Sequence, residues 1–192
     1  MQPAVQVVTP PSSEPVTAAE LYGHLKLNTG TAEYAQLEGF ISAARELFEQ
    51  HTGRAVLPTA FRQYLPALCR PVELLRGPVT AVELVEYVDA DGVDQELEGW
   101  ELDAATIPAV VYLPDGDYPA VSATRRRPAW VDFTAGWADA AAVPKAVATA
   151  IKLMAGHWYR FREAYTEVPL KDLPSGFQAI VALWDTGLTT RA

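Results

Sequence analysis

At 192 residues, 49% of them apolar and 20% charged, the chain has the size and composition of one folded domain with its own core, which excludes disorder for its bulk. Its 24 acidic residues against 15 basic ones give a net charge of −9, which excludes a strong non-specific hold on DNA or anionic lipid. One cysteine, Cys69, excludes an internal disulfide and a multi-cysteine zinc site, and no run of ~18 uncharged apolar residues reads as a transmembrane helix.

Residues 1–16 read as an extended arm, because four of the first 15 positions are proline. Such an arm is either a frayed terminus or a strap laid over a neighbour. The first positive side chain is Lys26, so the arm lacks the basic start of a signal or transit peptide. Thr17 to Glu20 (TAAE) is a capping box that opens a helix ending at Asn28–Gly30. A second helix is expected from Ala32 to His51, with Leu37, Phe40, Ile41, Ala44, Leu47 and Phe48 at helical spacing and Gly53 capping its end. The short joint between the two predicts an antiparallel helical hairpin over 17–53.

The period then changes to two. Strands are expected at Ala60–Leu65, Val79–Val88, Val93–Leu97, Trp100–Leu102, Val110–Leu113 and Trp130–Thr134, with turns at Ala90–Gly92 and Asp115–Asp117. The segment 58–137 thus reads as a small antiparallel sheet. Helix returns at Pro144, with Val147, Ile151, Met154, Ala155 and Trp158 on one face through Arg162. A proline-bearing loop follows, and Ser175 is expected to cap a last helix that carries Phe177, Ile180, Val181 and Trp184 and ends near Gly187. Helices at both ends with strands between make the class α+β, with 143–192 as C-terminal helices and tail.

The sequence offers little for catalysis. His24, His51 and His157 lack partners at metal-ligand spacing. Asp89, Asp91 and Asp94 surround Gly92 without the spaced ligands or terminal glutamate of a calcium loop, so a hairpin turn explains them. No nucleophile elbow, phosphate loop or dinucleotide fingerprint is present, and no carboxylate pair stands out. The expectation is therefore no catalytic residue, no metal and no cofactor. Arg125–Arg127 is the one basic run, read as a solvated loop or a protein interface. Ser175–Trp184 is more apolar than a terminal surface helix needs; it docks on its own core, meets a partner, or does both.

Taken in order, a set of blocks resembles the head–tail connector, or adaptor, family of tailed phages and prophages. These are Val7–Pro11 (VVTPP), Glu14–Leu21 (EPVTAAEL), His24–Leu25, Leu37, Ile41–Arg45 (ISAAR), Glu49–Arg54 (EQHTGR), Val85–Gly92 (VEYVDADG), Val131–Trp137 (VDFTAGW), Val143–Pro144, Ile151–Tyr159 (IKLMAGHWY) with Arg162–Glu163, and Pro174–Leu183. They cover most of the chain. Each is a loose packing motif, and their order and spacing carry the specificity. The arm and the loops near 104–124 are longer than in the leanest members.

The resemblance implies a structural virion protein, not an enzyme. It implies a ring, usually dodecameric, under the portal at the head–tail junction, built from protein made in the host cytoplasm. Its partners would be the portal, neighbouring copies of itself, and stopper or tail proteins, with genomic DNA passing through the channel without sequence-specific binding. The C-terminal segment commonly engages the portal, which nominates Phe177, Ile180, Trp184 and Arg191 for that contact. Helix face nominates Arg45, His157, Trp158 and Arg162 for contacts between subunits. A stopper or tail-completion protein is the alternative within the same class; a small host enzyme or regulatory binding domain is the alternative outside it.

Overall fold

The computed structural model describes residues 4–27, 34–69, 71–114, 118–161 and 173–187. Among them, two helices precede and two follow most of the strands, which form two antiparallel sheets, so the α+β reading holds.

The first element is β1 (Ala4–Thr9), which pairs antiparallel with β2 (Thr59–Leu65). The arm is extended, as its prolines require, but it is not frayed: it forms one edge of a sheet. Its partner lies far along the chain, which local patterning does not register. Next comes α1 (Ala18–Leu25), which begins at the capping box. The Thr17 hydroxyl accepts the Glu20 N–H at 3.2 Å, and the Glu20 carboxylate accepts the Thr17 N–H at 3.1 Å. Thr17→Ala is expected to cost about 1 kcal/mol, read as a melting temperature lower by roughly 2–4 °C. α1 ends earlier than its sequence suggests, at Lys26 in the left-handed region (φ 53°); the expected stop at Asn28–Gly30 lies outside the described residues.

Helix α2 (Tyr34–Thr52) buries Leu37, Ile41, Ala44, Arg45 and Phe48 along one stripe and stops at Gly53, whose φ of 70° suits glycine. Helix α3 (Lys145–Arg160) buries Val147, Ile151, Met154 and Ala155. Pro144 precedes its first turn and Phe161 closes it, so the helix is shorter than expected at its C-terminal end. The last helix, α4 (Ser175–Trp184), has Pro174 at its N-cap; Ser175 is already helical and makes no capping bond, so that expectation is corrected. The four helices share one apolar core with Val56, Leu57 and Val143.

The middle of the chain forms two sheets where the sequence predicts one. With β4 (Val79–Val88), β5 (Asp94–Glu96) and β8 (Ala129–Ala135), the larger sheet runs β1-β2-β8-β4-β5. The smaller joins β3 (Val72–Leu74), β6 (Glu101–Asp103) and β7 (Ala109–Tyr112) in the order β3-β7-β6. The strand β3, three residues long and directly after Pro71, carries too little pattern to be expected. The sheets share a second core through Phe61, Val85, Val131 and Phe133 from one and Val72, Leu74 and Val111 from the other. Gln63 locks them together. Its side chain is buried, yet its amide donates to the Glu73 carbonyl at 2.8 Å and accepts the Leu75 N–H at 2.9 Å, so no polar atom is stranded.

On the outer face of the larger sheet, Arg62 makes a bidentate pair with Asp132 at 2.7 and 2.6 Å and lies 5.0 Å over the Trp130 ring. Those bonds hold the Arg62 guanidinium above its ordinary pKa. Trp130 in turn donates to Glu86 at 2.8 Å, so one polar ladder crosses β2, β8 and β4.

Candidate functional site

Assembly chemistry resides in surfaces, and the C-terminal helix is the first of them. The Phe177 side chain is fully buried among the helices, while Ile180, Val181 and Trp184 are half-buried against the same core. The Trp184 and Trp137 rings meet edge to face at 5.7 Å, and the Arg54 guanidinium lies 5.0 Å over the Trp184 ring. Arg54 also donates to the Trp184 carbonyl at 2.9 Å, one of the helix-end oxygens that lack an internal partner. Beyond the helix, the Thr186 N–H and hydroxyl both donate to the Thr52 carbonyl, at 3.1 and 2.7 Å. The end of α4 is thus tied to the end of α2.

Three of the four residues nominated for the portal therefore serve mainly to dock α4 on its own subunit. Arg191 lies outside the described residues. The face turned to solvent carries Leu183, which is 82% exposed. Phe177, Ile180, Val181 and Trp184 share one side of the helical projection, and Leu183 falls on its flank.

Of the residues nominated for ring contacts, Arg45 is only 6% exposed and is consumed inside the subunit. It donates to Glu14 in bidentate fashion (2.8 and 3.3 Å), to Glu49 at 2.8 Å and to Ser42 at 3.3 Å. Burial acts against the guanidinium charge, but the bonds to Glu14 and the charges of Glu49, Glu14 and Glu46 outweigh it and hold the pKa above its usual value. Trp158 and His157 occupy neighbouring grooves at the end of α3. Trp158 lines an open groove with Gln36, Phe40, Ala43 and Phe161; His157 lies 4.9 Å from the Phe161 ring and lines another with His24, Lys152 and Arg160. Arg162 lies outside the described residues.

A cavity of about 320 Å³ opens between the end of β1, the last turns of α2, and β2. It is lined by Val7, Pro10 and Pro11 on one side and by Arg45, Glu49, Arg54 and Arg76 on the other. Burial pushes the guanidinium groups of Arg54 and Arg76 below their ordinary pKa, Glu49 opposing the shift at Arg76. At the opposite edge of the sheet, the β4–β5 hairpin carries Asp91 in its turn and Asp94 and Glu96 on β5, all exposed. Asp89 sets this turn by accepting the N–H groups of Asp91 and Val93 at 3.0 and 2.9 Å, and the Gln95 amide at 3.0 Å. Those bonds hold its carboxyl below the usual range. Arg125–Arg127 is an exposed loop leading into β8, and Cys69 is free and exposed. The Asp115–Asp117 turn lies outside the described residues. Among the described residues no group of three or more His, Cys, Asp or Glu side chains is placed to hold a metal ion, and no helix is long and apolar enough to cross a membrane.

No family model matches the chain, and no curated protein matches it by sequence. Solved structures do. A chain in the neck of an empty gene transfer agent particle, computed with C6 symmetry, superimposes with a TM-score of 0.78 at 29% identity, covering 95% of each chain. A chain in the virion of a native gene transfer agent particle gives 0.75 at 28% identity, covering 94% of each. A chain in the neck of a native gene transfer agent particle, computed with C12 symmetry, gives 0.72 at 27% identity, covering 96% of this chain and 95% of the other. The structural neighbours of this chain are thus chains of phage-like particles and their necks, alike along almost its whole length, and its resemblance to head–tail connector proteins holds in three dimensions as well as in sequence.

Proposed function

We propose that the protein is a structural component of the neck of a phage-like particle: an adaptor that forms a ring beneath the portal and presents a platform to the tail. The observation that carries this reading is the near full-length likeness to chains of gene transfer agent necks, computed with C6 and C12 symmetry. A ring of identical subunits needs two different faces on each subunit, joined head to tail, and the fold offers separate surfaces at its helical end and at both edges of its sheet. The net charge of −9 suits a wall past which DNA must slide, since a basic lining would hold phosphate. In this reading α4 and the chain beyond it face the portal, with Leu183 as the exposed apolar contact.

The test is co-assembly with the cognate portal, scored by negative-stain imaging. Removing α4 altogether would withdraw Phe177 from the core and confound folding with binding. The informative variants are Leu183→Glu and a chain ending at Gly187. Both are expected to keep the wild-type melting temperature within about 1 kcal/mol of stability, because surface changes cost little. Leu183→Glu is expected to lose the collar seen with wild type. Binding to a tail component in place of the portal would move the protein to the stopper position, and binding to neither would overturn the neck reading.

A further inference from the structure

At one end of the helical bundle a groove of about 250 Å³ opens where two helix ends converge. Helix α1 ends at Leu25 and α3 at Arg160, and both reach the groove with their last turns. The carbonyl groups that close a helix attract cations, and each of these ends carries basic side chains: His24 on α1, His157 and Arg160 on α3. Convergence collects them around one opening, with Lys152 from further back on α3. Of the nine residues that line the groove four are basic or imidazole and none is acidic, although acids outnumber bases by nine in the whole chain. Glu20 approaches Lys152 at 3.9 Å, and the same carboxylate oxygen accepts the Thr17 N–H at 3.1 Å. Among the described residues His24, His157 and Arg160 meet no carboxylate within 4.0 Å. All four side chains are exposed or half-buried, so water solvates them and the groove is not strained. It is a basic rim around an apolar floor of Leu25, Leu153 and Phe161, the last 38% exposed.

We propose that this groove binds an acidic segment of a partner protein, one in which carboxylates flank a side chain the size of leucine. The apolar side chain covers the floor, and the carboxylates reach Lys152, Arg160 and the two imidazoles. Two observations select this chemistry. The sign of the rim selects an anion and steers its approach. The floor selects an apolar side chain, which a phosphodiester backbone lacks. Nucleic acid would leave Leu153 and Phe161 uncovered and would meet a chain of net charge −9. A carboxylate pairing with Arg160 beside a covered Phe161 is partly screened from water, which strengthens the bond. The groove adjoins Pro174, at the start of α4, whereas Leu183 lies at the other end of that helix, so this site is separate from the proposed portal contact.

The full chain, labelled with nitrogen-15, is titrated under NMR with three probes: a short peptide in which glutamates flank a single leucine, the same peptide with glutamine for glutamate, and a short DNA duplex. The amides of residues 23–26 and 152–161 and the Arg160 Nε–H are expected to shift with the acidic peptide alone, and less in added salt. Arg160→Glu, at an exposed position, is expected to weaken binding roughly tenfold or more at an unchanged melting temperature. Phe161→Ser is expected to weaken it by roughly the same factor through the floor. Equal shifts with the glutamine peptide, wild-type binding in both variants, or the same shifts from the DNA duplex would overturn the proposal. Two further outcomes would overturn it by naming another occupant. Groove shifts that grow with protein concentration alone and vanish in Arg160→Glu would assign the groove to a second copy. The segment 162–172 of the same chain carries Glu163, Glu167 and Asp172. A rise in peptide affinity of roughly tenfold with Glu163→Gln, Glu167→Gln and Asp172→Asn together would assign the groove to that segment.

Discussion

Gly136→Ala is expected to lower stability by about 4 kcal/mol, with a melting temperature roughly 10 °C below wild type. Gly136 follows the last residue of β8 with φ 127°, a conformation that side chains with a Cβ rarely adopt. A Cβ placed there would overlap the carbonyl carbon and oxygen of Leu57, and the contact is with backbone, so no rotamer change relieves it. The site also lies where the two cores meet. The Gly136 N–H donates to the Pro78 carbonyl at 2.8 Å, and the Trp137 N–H to the Val56 carbonyl at 3.3 Å. Displacing this crossing would move Trp137 away from Trp184 and loosen the seat of α4. Gly92→Ala is the control: φ is 86° there too, but nothing stands near the added carbon, and a cost of only about 1 kcal/mol is expected. Equal melting temperatures for the two variants would show that the Leu57–Pro58 backbone yields.

How far the sequence carries the fold depends on where each element's information is stored. The capping box at Thr17, the stripe from Leu37 to Phe48 and the alternation of β2, β4 and β8 are local patterns, and all appear where their residue types place them. The strand β1 is different. Its VQVV run is too short to signal a strand alone, and its pairing depends on β2, more than 50 residues away. The division into two sheets is likewise a long-range property: it rests on β3 pairing with β7 and on Gln63 bridging the two layers. The candidate contacts show the same limit. Apolar character nominates Phe177 and Trp184, but apolar residues on a helix face mark equally a face that docks inward and one that docks on a partner. The exposure of Leu183 in the folded chain separates the two. Arg45 reads as a surface cation in sequence because the acids that bury it, Glu14 and Glu49, arrive from the arm and from the next turn of the same helix. Arg54 and Arg76 carry no motif at all. Their setting comes only from the fold, which brings them to one cavity with Glu46 and Glu49.

Arg45→Ala is expected to cost about 3–5 kcal/mol at neutral pH, the range seen when one member of a buried ionic cluster is removed and its partners are left unpaired. The arginine joins three parts of the chain: Glu14 from the segment after β1, Glu46 and Glu49 on its own helix, and through Glu49 the Val56 N–H, which donates to that carboxylate at 2.8 Å. Without it, two carboxylates face each other across a site from which water is largely excluded. The loss should depend on pH with a definite sign. Burial already pushes the Glu49 carboxyl up, against the pull of the Val56 N–H and of Arg45. Removing Arg45 removes part of that pull, so the folded pKa rises further above the unfolded value. A carboxyl of this kind takes up a proton on folding, and stability is lost as pH rises through the interval between its unfolded and folded values. Urea unfolding of Arg45→Ala should therefore give a smaller deficit against wild type near about pH 5 than near about pH 7. A chain carrying Arg45→Met with Glu14→Gln and Glu49→Gln should recover most of the loss, because the acids that need the cation are gone and the amide oxygen that replaces the Glu49 carboxylate can still accept the Val56 N–H. A deficit that is independent of pH and persists in the triple variant would assign the cost to lost packing of the arginine stem and not to its charge.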